Sequence, residues 1–234
     1  MTSPDPAAVR STFTSVAPRY DLANHLLSMG IDFRWRKKLV ELSQKGPHRD
    51  ILDLATGSGD VALALRRGLA GEVRITGVDF CEPMLEIARL KRNQRKLDSS
   101  QNQFLVGDCL ELDFPDASFD LVTIAFGLRN LADRKRGLAE MFRVLKPGGR
   151  LLILEFSQPS LWFRPFYYFY LKAILPWLAR LVTGDRQAYL YLGSSISAFP
   201  DRKALNSEIM NAGFKEVTNE GLTFSIVALH QGQK

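Results

Sequence analysis

From Asp50 onward, short apolar runs alternate with segments of helical period: DILDL (residues 50–54), VRITGVD (73–79), NQFLVG (102–107), FDLVTIA (119–125) and GRLLILEF (149–156). These runs are nearly continuous in apolar residues rather than alternating, which predicts parallel strands covered on both faces by helices. Two helix starts can be read between them. Pro83 follows Cys81 and Glu82, and Asp133 precedes RKRGLAEMFRVL. Residues 6–45 have an amphipathic helical pattern and predict a cap laid against the sheet. At the far end, GFKEVTNEGLTFSIVALH (213–230) predicts two strands joined by a short loop containing Asn219 and Gly221, an antiparallel hairpin on the sheet edge. The expectation is an α/β fold with a mostly parallel seven-stranded sheet. It forms a single domain over 1–234, divided into a helical cap (1–49), a core (50–160), substrate or lid helices (161–212) and an edge hairpin (213–234).

The stretch LWFRPFYYFYLKAILPWLARLV (161–182) is the most aromatic in the chain, yet Arg164, Lys172, Arg180, Pro165 and Pro176 interrupt it. Each charge at the centre of a bilayer would cost about 2.5–3.5 kcal/mol, so a membrane span is not expected. Aromatic rings interleaved with cations suit an interfacial or lid-like segment instead.

Composition alters this picture in three ways. With 46% hydrophobic and 24% charged residues over 234 positions, one sizeable core is expected. The net charge of +6 is unevenly placed: residues 51–160 hold 15 Lys/Arg against 15 Asp/Glu, while 1–50 and 161–234 each hold 8 against 5. A basic excess outside a neutral centre suits a surface facing something anionic, which predicts peripheral contact with an anionic membrane. The two cysteines, Cys81 and Cys109, and the three histidines are scattered, so neither a disulfide framework nor a metal site is expected. The polar start MTSPDPAAVR has no apolar stretch behind it, so no secretory leader is expected, and the predicted location is the cytoplasm, with association at the inner face of the membrane.

ILDLATGSGD (51–60) reads as a strand breaking into a glycine turn and then a helix, with Gly57 and Gly59 allowing close approach of a ligand. The pattern by itself is a loose match to dinucleotide turns. Asp53 and Asp60 bracket the turn, where two carboxylates would repel a pyrophosphate but attract the ammonium and sulfonium of S-adenosylmethionine. Asp79 ends the second strand and is placed to accept hydrogen bonds from two ribose hydroxyls. Asp108 and Cys109, at the end of the third strand, could meet the adenine. KPGG (146–149) leads into the fifth strand.

Together these features resemble the class I S-adenosylmethionine-dependent methyltransferases, a Rossmann-like fold. Two longer stretches, YDLANHLLSMGIDFRW (20–35) and RVLKPGGRLLILEFS (143–157), with FGLRN (126–130) and LTFSIVALH (222–230), resemble the UbiE/MenG-like quinone C-methyltransferases of menaquinone and ubiquinone biosynthesis. The resemblance implies a polyprenylated quinol as substrate and S-adenosyl-L-methionine as cofactor, with Ser58, Asp79, Asp108 and Cys109 in cofactor positions. The first signature usually has His where this chain has Asp32 and Met where it has Ala23. Ala125 stands where Ser, Thr or Gly is frequent, keeping a backbone carbonyl for the cofactor but no side-chain bond.

Arg129 and Asn130 end the fourth strand, an unusual place for a permanent cation. C-methylation of a quinol is faster from the phenolate, and lowering a phenol from about 10 to about 7 requires roughly 4 kcal/mol of preferential stabilisation. A charge-assisted hydrogen bond supplies about 1.5–3 kcal/mol, so Arg129 needs Asn130 beside it. The proton would go to a water held by Arg129 or to Tyr20, Asp21 or His25 of the cap. The structural alternative for Arg129 is a salt bridge to Asp133 or a helix-end contact. The rival functions are methylation of another lipophilic phenol or lipid, a nucleic-acid methyltransferase, a nicotinamide-dependent oxidoreductase and a non-catalytic lipid-binding module. AFGL replaces the Pro-Pro-aromatic turn that amino methylation of bases usually uses, so no nucleic-acid partner is expected. A homodimer is left open.

Overall fold

The computed structural model describes Ala7, Thr14, His25, residues 28–46, 48–174 and 186–234, the side chains of 186–190 excepted. Seven strands form one sheet: β1 (Asp50–Leu54), β2 (Arg74–Asp79), β3 (Asn102–Val106), β4 (Phe119–Ala125), β5 (Leu145–Phe156), β6 (Lys215–Leu222) and β7 (Val227–Gln233). Their spatial order is β3-β2-β1-β4-β5-β7-β6, and β7 alone runs against the rest. The order reverses between β1 and β4, which opens a crevice at their carboxyl ends.

Helices cover both faces because the strands present apolar side chains to both. On one side α1 (Ile31–Ser43), α2 (Asp60–Gly68) and α3 (Glu82–Gln94) bury Trp35, Leu39, Leu63, Leu85 and Ala88 against Ile51, Ile75, Leu152 and Leu154. On the other, α4 (Arg134–Val144) and a helix introduced below bury Leu138, Met141, Leu205 and Ile209 against Leu52, Val122, Leu151 and Ile153. Successive residues of β5 thus go to opposite cores, as a two-residue period requires. The predicted helix starts are found: Pro83 lies in the first turn of α3, and the Asp133 carboxylate accepts from the Arg136 amide at 3.0 Å.

Two boundaries differ from expectation. KPGG does not precede β5 but lies inside it, looped out where Phe119 pairs with Leu145 and Leu121 with Arg150. The Gly148 amide donates to the Lys234 carbonyl at 3.0 Å, so the bulge is pinned by the end of β7. The hairpin loop is 223–226, and Asn219 and Gly221 belong to β6. Asn219 and Gly221 are usual turn residues, whereas the chain turns through Thr223, Phe224 and Ser225, all with positive φ. The Trp35 indole donates to the Thr223 hydroxyl at 2.8 Å and ties this turn to α1.

After β5 come α5 (Arg164–Phe169), a π-helical turn (Tyr170–Ile174), α6 (Arg186–Ala198) and α7 (Arg202–Asn211). Among the described residues no helix is long and apolar enough to cross a membrane. Within the cap, Ile31–Ser43 is helical as expected. The rest of 6–45 lies largely outside the described residues, as does 175–182 of the aromatic stretch.

Candidate active site

The two strands flanking the crevice end alike. Ala55 after β1 has φ 48° and Phe126 after β4 has φ 56°, left-handed conformations that side chains usually avoid. Strain of this kind concentrates at functional sites. A side chain on Gly127 would overlap the Ala55 methyl, so the two loops are in direct contact. Two cavities open here, sharing Ala55, Gly57, Ala125 and Phe126 as walls. One, of about 100 Å³, extends towards Asp32, Trp35, Arg36, Asp60, Arg129 and Phe156. The other, of about 60 Å³, extends towards Asp79, Met84, Asp108, Cys109 and Asn130.

The glycine turn is held by carboxylates. Asp79 at the end of β2 accepts from the Gly57 amide at 2.8 Å and the Cys81 amide at 2.9 Å, one bond per oxygen. A carboxylate offers about four acceptor sites, so Asp79 keeps room for a further donor. Burial raises the Asp79 pKa, and the amides of Cys81, Gly57 and Phe80 oppose that rise. Gly59 caps α2 at φ 79°, and a Cβ there would lie 2.8 Å from the Ala88 Cβ and 3.1 Å from the Phe104 ring, so only glycine fits between helix and strand.

The electrostatic reading of Asp53 and Asp60 needs correction. The Asp53 carboxylate is buried beneath the turn and accepts from the Thr56 and Thr123 hydroxyls, each at 2.6 Å; desolvation pushes its pKa up to about 6. It shapes the turn instead of facing a ligand as a free anion. Burial alone would raise Asp60, but Arg36 at 3.2 Å and Lys91 at 2.7 Å outweigh it and hold the carboxyl below its ordinary value. Its charge is therefore already matched. Lys91 also donates to the Ser58 hydroxyl at 3.0 Å. The case against a pyrophosphate rests instead on the smaller cavity, whose described lining includes Asp79 and Asp108 and no Lys or Arg.

Asp108 and Cys109 sit in the turn after β3. The Asp108 carboxylate accepts from the Leu110 amide at 2.8 Å, and burial pushes the Cys109 thiol up to about 12, so it packs as a neutral group.

Arg129 stands in a single 3-10 turn (Leu128–Asn130) and is 8% exposed. Its partner is not Asp133. Glu155 of β5, 1% exposed, accepts from Arg129 Nη1 at 2.8 Å and from the Arg129 amide at 3.2 Å. Nη1 also donates to the Phe126 carbonyl, the guanidinium lies over the Phe156 ring at 5.1 Å, and Nε is buried without a partner. Glu155 was missed in the sequence although a signal was there: an acid inside LLILEF must be paired, and β4 runs beside it. Asn130 accepts from the Tyr191 hydroxyl at 3.1 Å through its amide oxygen, so its amide nitrogen serves as a donor. Tyr191 carried no sequence signal, since α6 is far away along the chain. Of the cap residues, His25 is held by Asp32 at 2.6 Å through Nδ1, while Tyr20 and Asp21 lie outside the described residues.

A doubly wound sheet with a glycine turn after β1, a strand-end carboxylate and a phosphate-averse pocket is the form of the class I S-adenosylmethionine-dependent methyltransferases. Known structures agree on the fold. The chain superposes on an S-adenosylmethionine-dependent methyltransferase from Aquifex aeolicus with a TM-score of 0.62 (18% identity, 85% of this chain and 88% of that one). It superposes on the [4+2]-cyclase SpnF with a TM-score of 0.73 (18% identity, 100% and 97%), so fold alone does not decide the reaction. Sequence decides further: residues 1–234 match the ubiE/COQ5 methyltransferase family throughout, and the chain belongs to that family. It is 49% identical to a demethylmenaquinone methyltransferase of Thermus thermophilus over 95% of this chain and 99% of that one. It is 41% identical to a ubiquinone/menaquinone biosynthesis C-methyltransferase of Geotalea daltonii over 97% and 96%.

Proposed function

We propose that the enzyme methylates a ring carbon of a polyprenylated quinol in menaquinone or ubiquinone biosynthesis, with the nucleoside of S-adenosyl-L-methionine in the Asp79 lobe and the quinol ring near Arg129. The observation that carries this reading is the placement of both groups on one sheet edge, with Ala55 and Phe126 as common walls. The names of the family's relatives supply the substrate class.

In this reading the cofactor, when bound, supplies an electrophilic methyl on a sulfonium. Asp79 holds the ribose hydroxyls with its remaining lone pairs, and the Gly57–Gly59 turn admits the rest of the molecule. Ala125 contributes only its carbonyl. Asp108 borders the adenine, Cys109 closes its floor, and Ser58 is held in place by Lys91. Because Glu155 already balances Arg129, the guanidinium acts on a ring oxygen as a hydrogen-bond donor rather than as an uncompensated charge. Roughly 4 kcal/mol is needed to bring the phenol near neutrality, and one such bond gives about 1.5–3 kcal/mol, so a second donor must share the oxygen, and the Asn130 amide, which lines the adjoining lobe, would reach it past the common wall. The pair with Glu155 argues against Arg129 itself as proton acceptor, since releasing its own proton would leave the carboxylate unpaired. The hydroxyl proton passes to His25, whose Nδ1 is engaged by Asp32 and whose Nε2 is left to exchange it, or to Tyr20 or Asp21.

The isoprenoid tail accounts for the apolar surface beyond the pocket. Leu161, Trp162, Phe166 and Phe224 are exposed, and the Trp162 ring lies 5.1 Å from that of Phe224. Burying a tail gains about 0.8 kcal/mol per CH₂. These rings, with the basic flanks, would rest on an anionic bilayer from the cytoplasmic side. The test is methyl transfer from labelled cofactor to a short-tailed demethylmenaquinol in detergent, with the product analysed by mass spectrometry. Ring C-methylation is expected, and an O-methylated product or none would reject the reaction. Flotation with equal recovery on neutral and anionic vesicles would reject the membrane contact.

A further inference from the structure

Resting on the reaction proposed above, we infer that Tyr191 is a positioning residue that holds the Asn130 side-chain amide in the orientation from which it donates to the ring oxygen. Tyr191 is half-buried on α6, and its hydroxyl donates to Asn130 Oδ1 at 3.1 Å. An amide offers donors at one end and an acceptor at the other, and its terminal torsion has two similar settings half a turn apart. Asn130 reaches the ring past the wall between the two lobes, so the choice of setting decides whether a donor or an acceptor meets the substrate. An acceptor turned towards the hydroxyl would favour its neutral form and raise its pKa.

The direction of the Tyr191 bond has a cause in Arg129. Both side chains line a groove that meets the ring cavity at Arg129. A guanidinium carries donors only, so the phenol oxygen turns its lone pairs towards that charge and its single proton away from it, to Asn130. Burial raises the Tyr191 pKa against the pull of Arg129, so the proton stays in place well above neutrality. The position of the phenol is in turn set by how α6 is docked. Leu192, the next residue, is part of the wall of the ring cavity, and Ile196 is buried against Tyr167 and Leu171. Gln158, two residues beyond β5, donates from Nε2 to the carbonyls of Ile196 at 3.2 Å and Phe199 at 2.9 Å, while the Tyr168 hydroxyl holds the Gln158 oxygen at 2.6 Å. The helix is thereby fastened to the strand that carries Glu155, and Tyr191 is fixed relative to the Arg129–Glu155 pair.

The shares of the two donors set the size of the effect. The bound hydroxyl must come down from about 10 to about 7, and a charge-assisted bond from Arg129 supplies at most about two of those three pH units, leaving about one for Asn130. Tyr191→Phe keeps the ring and removes the hydroxyl, so the bound phenol is expected to ionise about one pH unit higher. Anaerobic single-turnover methylation of a short-tailed demethylmenaquinol is then expected to be about tenfold slower than in the wild type at pH 6, where little phenolate forms in either protein. At pH 9, where both have ionised, the two rates should nearly agree. Loss of packing alone would lower the rate by the same factor at every pH. Affinity for S-adenosylhomocysteine should be unchanged in Tyr191→Phe, and in an Asn130→Ala background the same change should cost less than about twofold. A ratio of rates that does not vary with pH, or a cost as large in the Asn130→Ala background as in the wild type, overturns the inference. The pH at which bound 1-naphthol ionises, read from its absorbance, is a measure free of turnover. Equal values in the wild type and Tyr191→Phe overturn the inference, whereas a wild type that lowers the naphthol value through Tyr191 yet leaves the quinol unmethylated strikes at the proposed reaction alone.

Discussion

The pair Arg129–Glu155 allows a quantitative test of how the site is built. At 2.8 Å, two unit charges in a medium of effective dielectric about 20 attract by about 6 kcal/mol, against a desolvation cost of several kcal/mol for each ion. The net contribution of the pair is therefore small, but the cost of breaking it is not. Glu155→Met leaves the guanidinium buried with the Phe126 carbonyl as its neutral partner, and about 4 kcal/mol of stability should be lost. Arg129→Met leaves Glu155 with the amides of residue 129 and Phe156, which soften the loss to about 3 kcal/mol. The double variant removes both charges and should cost no more than the worse single change, a coupling of about 3 kcal/mol. Equilibrium urea unfolding of the four proteins measures it. Additivity within about 0.5 kcal/mol would refute the idea that the two charges exist for one another. The double variant should also be inactive while remaining folded, which separates the stability role from the chemical one.

Asp53 predicts an unusual pH dependence. Its folded pKa of about 6 lies above its ordinary value of 3.8, so the native state binds the proton more tightly, and stability falls by about 3 kcal/mol as pH rises from about 4 to 6. Asp79 contributes in the same direction. Asp53→Asn, whose amide the two threonine hydroxyls can turn to meet, should flatten this slope in denaturation measured at several pH values; an unchanged slope would show that Asp53 is ionised throughout. Gly59→Ala should destabilise the fold by about 1–3 kcal/mol and abolish nucleoside binding in calorimetry, because the methyl would meet Ala88 and Phe104 at a left-handed position. Asp79→Asn should weaken nucleoside binding by at least tenfold and cost about 1–3 kcal/mol of stability, since the amide nitrogen cannot accept from the Gly57 or Cys81 N–H that it faces. Full affinity would remove Asp79 from the ribose.

Much of the architecture was legible because it follows from local rules. β1 and β4 lie where continuous apolar runs predicted them, and Pro83 and Asp133 start their helices. The misplaced hairpin loop has a specific cause. Asn219 and Gly221 favour a turn, but cross-strand pairing with His230 and Ala228 keeps them in β6, and the Trp35 bond helps hold the turn at Thr223. The site was legible in its residue types and less so in its charges. Asp60 looked free because Arg36 and Lys91 come to it from other helices, and Asp53 looked ionised because burial cannot be read from one position. Glu155 could have been found by asking what balances an acid within an apolar strand. Tyr191 could not, because its meeting with Asn130 depends on how α6 packs.

The reversed strand bears on how this protein is made. β7 pairs along the whole of LLILEF in β5 and separates it from β6. During synthesis, β1 to β5 can assemble early, but the outer side of β5 keeps its amides and carbonyls unsatisfied until residues Val227–Gln233 have left the ribosome. Throughout that interval the nascent chain carries a sticky seam directly behind Glu155 and Arg129. Translation that stalls within α6 or α7 would therefore yield a sheet already formed yet ready to pair with a neighbouring polypeptide.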